Sequence, residues 1–382
     1  MVEIPLSLYV HFPWCVKKCP YCDFNSHTLR DDLPERAYID ALIQDLQQQL
    51  ASLPERMIQT VFMGGGTPSL ISPTEIQRLM EALNNSGRLV KGAEVTLEAN
   101  PGTLDETFFE DYLRAGINRL SIGVQSFDDD ALRKIGRIHG AQQARSAISR
   151  SKKAGFERIN LDLMYGLPGQ SVEDSGRDIE IALSQEVDHL SVYQLTIEPN
   201  TEFAVHTPQL PDSDQYWAMH EGAQSALQEA GFAQYEVSAY TKNSACRHNL
   251  NYWEFGDYLA IGAGAHGKLS GTDEAGGFNI RRYWNFRHPK AYLQAARVGD
   301  FVAQNKKVPA AERDLEFLMN ALRLRCGFEL SAYTARTGSE PEALLENLKP
   351  FFDKGWLEQR GKTIRASQTG FRYLDSMLLE CL

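Results

Sequence analysis

The sequence predicts an α/β fold in which a partial (β/α)6, TIM-like barrel precedes a smaller helical, winged-helix-like C-terminal domain. Two observations favour it. Short β-branched runs alternate with segments of helical periodicity from residue 6 onward, and after about residue 285 helices precede a single hairpin. Six successive β-then-α units indicate a parallel sheet with helices outside. We therefore expect the barrel over residues 1–235, a connecting region over 236–285 and the C-terminal domain over 286–382.

The barrel elements follow in chain order. The predicted strands are 6–12, 60–65, 94–100, 119–125, 158–166 and 189–197. The first helix is expected over 37–50, where apolar residues share one face. Ser72 begins a capping box with Pro73 at the first helical position. A second capping box, Thr103–Glu106, begins a helix that is expected to stop at Gly116.

The C-terminal domain is expected to contain helices near 311–325, 330–337 and 341–354, a hairpin over 356–367 and a last helix. Winged-helix domains often bind DNA through a basic recognition helix. Here the segment 341–354 carries three carboxylates against two lysines. It is therefore predicted to pack or dock, with no role in nucleic-acid binding.

Composition narrows the class of protein. The 382 residues carry a formal net charge of −11 and no dense Lys/Arg block, so nucleic acid is not an expected partner. The first 14 residues lack a basic region, which predicts no signal peptide, and no apolar run reaches the ~18 residues of a membrane span. Six cysteines are too few for a disulfide framework, which predicts a reduced, cytoplasmic chain.

Unusual polar or glycine-rich features end five of the predicted strands. Sites in such folds gather where the carboxyl ends of parallel strands meet. The strand ends carry a cysteine-rich loop, the run GGGTP, Glu98, Gln125 and Asp162. The sequence therefore predicts one functional rim.

Three cysteines lie close together after the first strand, at Cys15, Cys19 and Cys22. Thiolates hold zinc or iron–sulfur clusters, and three sulfurs from one loop suit three irons of a [4Fe-4S] cube whose fourth iron stays open. The alternatives are free thiols or a Cys3His zinc site completed by His11 or His27. A structural zinc site usually staples a small domain, whereas this loop follows the first strand of a large barrel. The pattern favours the cluster.

The CxxxCxxC spacing followed by GGGTP resembles the radical S-adenosylmethionine (SAM) superfamily. The resemblance implies two cofactors, a [4Fe-4S] cluster and SAM, whose amino and carboxylate groups chelate the open iron. It also implies a radical SAM barrel. The three glycines are expected to let the backbone approach a ligand closely.

Further motifs narrow the resemblance over nearly the whole chain. Tyr9-x-His11-x-Pro13, GVQSF, Arg137 and LDLMYGLPGQ are similar to the oxygen-independent coproporphyrinogen III oxidase group. The resemblance assigns no catalytic residue. By motif match it implies SAM contacts at Tyr9, Gly65, Gly66, Thr67, Glu98, Gln125, Arg137 and Asp162.

Two departures from that group point to a sister branch. The oxidases carry a fourth cysteine where this chain has Phe24, and an N-terminal extension before Tyr9. Both departures, with HNxxYW at 248–253, resemble the HemW-type haem chaperones, which bind haem and hand it to apo-proteins. The motif implies His248 as haem ligand, with His266 and Cys246 as rivals. No CxxCH is present, so thioether attachment is not expected.

The resemblance favours a haem chaperone built on a radical SAM architecture over a coproporphyrinogen dehydrogenase. The alternatives are an oxygen-independent coproporphyrinogen III oxidase-like enzyme and a zinc-stapled scaffold. The implied partners are haem, apo-haemoprotein clients and a flavodoxin- or ferredoxin-like electron donor. The sequence permits a homodimer and transient membrane contact and decides neither.

Two further segments bear on these sites. Lys17 and Lys18 lie inside the cysteine loop, where they are expected to tune a cluster and to steer an acidic electron donor. The run GAGAHG at 262–267 contains GxGxxG, but a polar, glycine-rich stretch follows it, which argues against a dinucleotide fold. Its small residues are expected to make a close-packed turn or to let the backbone approach a flat ligand.

Overall fold

The computed structural model describes residues 4–103, 108–273 and 275–381. The strands are β1 (Leu6–Phe12), β2 (Trp14–Cys15), β3 (His27–Thr28), β4 (Ile58–Gly65), β5 (Leu89–Ala99), β6 (Arg119–Gln125), β7 (Arg158–Tyr165), β8 (His189–Gln194), β9 (Ala233–Gln234), β10 (Ala239–Thr241), β11 (Asp257–Ile261), β12 (His266–Thr272), β13 (Phe278–Asn285), β14 (Val302–Lys307), β15 (Phe328–Glu329), β16 (Leu357–Arg360) and β17 (Thr363–Ala366). The helices are α1 (Glu35–Ala51), α2 (Pro73–Asn85), α3 (Phe109–Arg114), α4 (Asp129–Lys134), α5 (Ala141–Ala154), α6 (Val172–Ser184), α7 (Glu202–Val205), α8 (Ser213–Glu229), α9 (Arg247–Trp253), α10 (Pro289–Ala295), α11 (Ala310–Ala321), α12 (Leu330–Thr337), α13 (Pro341–Asp353), α14 (Gln368–Arg372) and α15 (Leu374–Glu380).

One large sheet organises the barrel region. Its centre is the parallel array β1-β4-β5-β6-β7-β8, which contains all six predicted strands. The main differences are that β4 begins two residues and β5 five residues before the predicted starts. The predicted α/β class is confirmed.

The sheet continues past both edges of this array in a way that the sequence did not predict. β11 pairs parallel to β1, and β12, β13 and β14 follow as antiparallel strands. At the other edge, β10 and β9 are antiparallel to β8 and to each other. The antiparallel extension after β11 stands beside the cysteine-bearing end of β1, which gives the rim a second wall.

Burial explains why the central strands form. Along β1, every residue except Tyr9 is buried, as expected for a parallel strand covered on both faces. The helix start at Ser72 is confirmed, because its hydroxyl accepts a hydrogen bond from the Glu75 amide and Pro73 follows it. The predicted capping box is incomplete, because the Ser72 amide donates to the Glu35 carboxylate and not to Glu75. The second predicted capping box lies partly in residues 104–107, outside the described residues. The helix after it, α3, is followed by Gly116 at φ +100°.

The C-terminal domain has its own apolar core. Helices α11, α12 and α13 pack with a three-stranded sheet in the order β15-β17-β16 around Phe317, Tyr333, Leu348 and Ile364. The predicted hairpin is confirmed, and the predicted last helix is split into α14 and α15. The domain boundaries at 235 and 285 stay predictions. Among the described residues, no helix is long and apolar enough to span a bilayer.

Candidate cofactor site at the carboxyl ends of the strands

The cysteine loop is closed at its base by a short ladder. β2 and β3 pair in parallel, with Trp14 opposite His27 and Cys15 opposite Thr28. The His27 amide donates to the Pro13 carbonyl at 2.7 Å. The cysteine loop between β2 and β3 is therefore closed at its base, and it directly follows the carboxyl end of β1.

The three thiols face one pocket of about 430 Å³. Burial raises the pKa of Cys15 and that of Cys22, which keeps both protonated until a metal binds them. Arg137 Nη1 lies 3.9 Å from Cys19 Sγ, so a cation lies beside one of the three sulfurs. This donor set, three thiols around an open cavity, fits a cluster that one loop holds on three corners.

A Cys3His zinc site would need a nitrogen of His11 or His27 as its fourth ligand, but these histidines form hydrogen bonds to other groups. His11 Nδ1 bonds the Tyr9 hydroxyl at 2.9 Å and its Nε2 bonds the Asn25 carbonyl at 2.9 Å. His27 Nε2 lies 3.3 Å from the Asn25 side-chain oxygen. Within residues 4–103, 108–273 and 275–381, no three His, Cys, Asp or Glu side chains are grouped to hold a single ion.

The GGGTP run extends the pairing of β4 with β1. The Gly66 amide donates to the Phe12 carbonyl at 2.6 Å, and the Thr67 amide to the Trp14 carbonyl at 2.8 Å. A Cβ on Gly65, at φ +113°, would lie 2.4 Å from the His11 ring, and one on Gly66 would lie 2.5 Å from the Trp14 carbonyl oxygen. The expected reason for these glycines, room for a ligand, is therefore incomplete, because the protein itself fills that space.

Glu98 stands at the centre of the rim. Its Oε2 accepts a hydrogen bond from the Gly65 amide at 3.1 Å. Burial, and secondarily the nearby Asp162, raises the pKa of Glu98 to about 8. At neutral pH, without a ligand, this carboxyl is mostly protonated and can donate as well as accept a hydrogen bond.

Asp162 and its hydrogen-bonded neighbours form a polar part of the wall of the thiol pocket. Its carboxylate accepts from the Ser121 hydroxyl at 3.1 Å and from the Asn160 amide at 2.8 Å, and burial raises its pKa. Gln125 has φ +69°, rare for a residue other than glycine, and accepts from the Tyr193 hydroxyl at 2.7 Å. The strained backbone presents the Gln125 side chain to the pocket.

Arg137 reaches the same pocket from the segment after α4. Its Nη2 donates to the Gly123 carbonyl at 2.6 Å, while its buried Nε has no partner among the described residues. A buried guanidinium with an unused donor fits the carboxylate of an amino-acid ligand.

Most of the predicted SAM set therefore lies together, with one exception. The pocket that the thiols line is also lined by Gly65, Gly66, Thr67, Glu98, Gln125, Arg137 and Asp162. Tyr9 lines an adjoining pocket of about 790 Å³. Gly65 and Glu98 line both pockets and form part of the wall between them. Tyr9 therefore lies on the other side of this wall from the thiols.

His248 lies in the barrel interior, and not on either pocket. Its Nδ1 bonds the Thr60 hydroxyl at 2.8 Å, its Nε2 bonds the Tyr252 hydroxyl at 3.1 Å, and its ring stacks on Phe62. The side chain is 1% exposed, and burial lowers its pKa to about 3. The rival Cys246 is also fully buried, beside Glu94. His248 as haem ligand stays a prediction.

Sequence reasoning missed several residues of the site although signals for them exist. Asn160 shares a strand face with Asp162, because side chains two apart in a strand point the same way. Ser121 precedes Gln125 on β6 and lines the same pocket. Tyr193 is the penultimate residue of β8 and lines the same pocket. Asn25 gave no signal, since its Nδ2 donates to the carbonyls of Ala263 and Arg287, more than 230 residues away.

Comparisons with known proteins agree with this geometry. A family model described as the radical SAM superfamily matches residues 9–180, and one described as the HemN C-terminal domain matches residues 308–373. The "Heme chaperone HemW" of Haemophilus influenzae is 44% identical over 379 residues, 98% of this chain and 97% of that protein. The chain belongs to the HemW family of radical SAM proteins. The HemW of Escherichia coli K12 is 43% identical over 99% of this chain and 98% of its own length.

A solved structure supports the architecture of this HemW family member. Coproporphyrinogen III oxidase (HemN) from Escherichia coli, described as a radical SAM enzyme, superposes with a TM-score of 0.83. It is 22% identical and covers 99% of this chain and 90% of its own. At that identity the likeness concerns the fold alone.

Proposed function

We propose that this protein is a haem chaperone that binds haem and delivers it to apo-haemoproteins, and that it carries a [4Fe-4S] cluster and SAM. The observation that carries the proposal is the 44% identity, over 98% of the chain, to a protein named heme chaperone HemW. Phe24, at the place of the oxidases' fourth cysteine, and HNxxYW at 248–253 support the same conclusion.

The residues at the rim fit both cofactors. Cys15, Cys19 and Cys22 would hold three irons of the cluster. Gly65, Gly66, Thr67, Glu98, Gln125, Arg137 and Asp162 line the cavity beside the thiols, where SAM would bind, with Tyr9 behind Glu98. When bound and reduced, the cluster can supply the electron that cleaves SAM. The chain's part is to orient the ligand: Arg137 suits its carboxylate, and Glu98 suits its amine or ribose hydroxyls.

The second candidate is an oxygen-independent coproporphyrinogen III oxidase-like enzyme. The GVQSF and LDLMYGLPGQ motifs, which are similar to those of that group, favour it. An exposed aromatic side chain at Phe24, in place of a thiol, weighs against it.

The expected partners follow from the proposal. They are haem, apo-haemoproteins and a flavodoxin- or ferredoxin-like donor, which Lys17 at the pocket mouth and the neighbouring Lys18 would attract. All six cysteines are free thiols, which suits the reducing cytoplasm. A homodimer and transient membrane contact stay predictions.

One experiment separates the two candidates. The full chain is reconstituted anaerobically with iron and sulfide and titrated with haem, and transfer to an apo-haemoprotein is followed by absorbance. A parallel sample receives reductant, SAM and coproporphyrinogen. The proposal predicts stoichiometric haem uptake and transfer with no porphyrinogen turnover. Turnover without haem uptake would overturn it in favour of the oxidase.

A further inference from the structure

We propose that haem binds in the pocket next to the thiol pocket, between β1 and the antiparallel strands β12–β14, with His266 as its axial ligand. The inference rests on the proposed function and says where its cargo sits. The pocket has a volume of about 790 Å³, within the ~300–1,000 Å³ typical of small-molecule sites.

His266 has the accessible nitrogen that an iron ligand needs. It begins β12, opposite Trp284 of β13, and the two rings stack at 5.5 Å with an interplanar angle of 14°. The side chain is exposed into the pocket, and among the described residues neither ring nitrogen has a hydrogen-bond partner. By contrast, His11 and His248 use both nitrogens in hydrogen bonds.

The surroundings keep this imidazole in the form that binds iron. Partial burial, together with the guanidinium groups of Arg282 and Arg287, lowers the pKa of His266. A neutral ring at physiological pH offers a lone pair to the iron, and stacking on Trp284 fixes the plane of the ring.

The walls suit a flat, largely apolar ring. Tyr9, Tyr252, Tyr258 and Trp284 line the pocket, and Phe24, 58% exposed, lies at the side that faces the thiol pocket. Aromatic faces of this kind pack well against a porphyrin plane.

The HNxxYW motif contributes to this wall through its tyrosine. Tyr252 lines the pocket, while His248 bonds the Tyr252 hydroxyl from inside the barrel at 3.1 Å. Phe62 lies between the rings of His248 and Tyr9 and stacks on both. His248 is therefore a positioning residue that holds the aromatic wall, and His266 supplies the bond to iron.

Two cations, one lining this pocket and one beside it, are available to pair with the carboxylates of haem. Arg287 lines the pocket and is exposed, and its Nε donates to the Asn25 side chain at 3.2 Å. Lys306 Nζ lies 5.3 Å from the centre of the Trp284 ring. Arg282 is already paired with Glu316, so Arg287 and Lys306 are the groups that would pair with the propionates.

The test compares His266→Ala with His206→Ala, an exposed histidine outside both pockets, in the full reconstituted chain. Ferric haem is titrated in, and absorbance and electron paramagnetic resonance (EPR) spectra report the axial ligand. We expect His266→Ala to lose the imidazole signature, to bind haem about tenfold more weakly or worse, and to regain the signature with added imidazole. His206→Ala should match the wild type.

His266→Tyr keeps a ring against Trp284 and serves if the alanine variant does not fold. It should replace the imidazole spectrum by that of a phenolate-bound ferric haem. Wild-type haem binding with unchanged affinity and spectrum in the folded His266 variant would overturn this inference and leave the proposed function standing. Failure of the wild-type protein to bind haem at all would overturn the proposed function, and this inference with it.

Discussion

Two neighbouring pockets share one rim of the barrel, and they are built in different ways. The thiol pocket collects side chains from the ends of successive parallel strands and from one short loop. The aromatic pocket, lined by His266 and Trp284, needs an antiparallel register between β12 and β13. The thiol pocket can be predicted from residue spacing within short segments of the chain. The aromatic pocket depends on the pairing of strands that are distant in sequence. A sequence motif can therefore indicate a cofactor, here the cluster, while the proposed haem site beside it has no sequence motif of its own.

The largest expected effect separates the two pockets. Replacing Cys15, Cys19 and Cys22 together with alanine removes all three sulfurs, so iron and sulfide content after reconstitution should fall to near zero. Haem should still bind, because none of these three cysteines lines the aromatic pocket, although the neighbouring Asp23 and Phe24 do. Chemical analysis of iron and sulfide with a haem titration measures both.

The control for this variant is Cys326→Ala with Cys381→Ala, two cysteines of the C-terminal domain. They should leave iron and sulfide content unchanged. Loss of haem binding together with the cluster, in a folded triple variant, would show that the two pockets are not independent.

The second effect tests the buried histidine behind the aromatic pocket. His248→Ala leaves the hydroxyls of Thr60 and Tyr252 without their bonds to His248, so we expect unfolding free energy to drop by about 2 to 4 kcal/mol. Denaturant unfolding measures it, with His206→Ala as the surface control. The haem spectrum should keep its imidazole signature. Its loss at unchanged stability would give His248 the ligand role that the motif predicts.

The third effect concerns Glu98, which both pockets share. Its pKa of about 8 means that the free protein holds a proton there at neutral pH. A cationic ligand favours the carboxylate, so SAM binding should release this proton. Affinity should therefore rise with pH toward 8, by at most about tenfold per unit.

Glu98→Gln should remove the contribution of Glu98 to the pH dependence of SAM affinity. Glu198→Gln, at another carboxylate that lines the same pocket, should leave that pH dependence unchanged. Calorimetry between pH 6 and 8.5 measures the difference. In the protein without ligand, the contribution of Glu98 to the unfolding free energy changes with pH in the opposite direction to the SAM affinity. The unfolded chain loses the proton near pH 4.5 and the folded one near 8, so Glu98 lowers stability as pH rises across that window. Equal slopes in the wild type and Glu98→Gln would contradict the assignment.

The smallest effect concerns Lys17, which lines only the thiol pocket. At ~8 Å and an effective dielectric of ~20, one charge changes a one-electron potential by at most about 90 mV, and exposure to water reduces that. Lys17→Ala should lower the cluster potential by some tens of millivolts in an EPR-monitored redox titration. Lys349→Ala, on α13, should not change it. An upward shift would contradict the account.

The contrast between the pockets also explains what the sequence could predict. The six parallel strands, the Ser72 helix start and the cysteine loop follow from periodicity and spacing within short windows. The pairing of His266 with Trp284 does not, because 18 positions separate them and one residue of register slip would turn a side chain to the other face. The interior position of His248 was missed for the same reason, since it depends on packing against Thr60 of a distant strand.

The proposals place the cluster and haem in adjoining pockets that share Asp23, Phe24, Gly65 and Glu98. The most direct test is the EPR relaxation of the reduced cluster with and without bound paramagnetic haem. Adjoining pockets predict that haem speeds the relaxation of the cluster, and that His206→Ala retains this effect. A haem-loaded protein in which cluster relaxation stays unchanged would contradict the account.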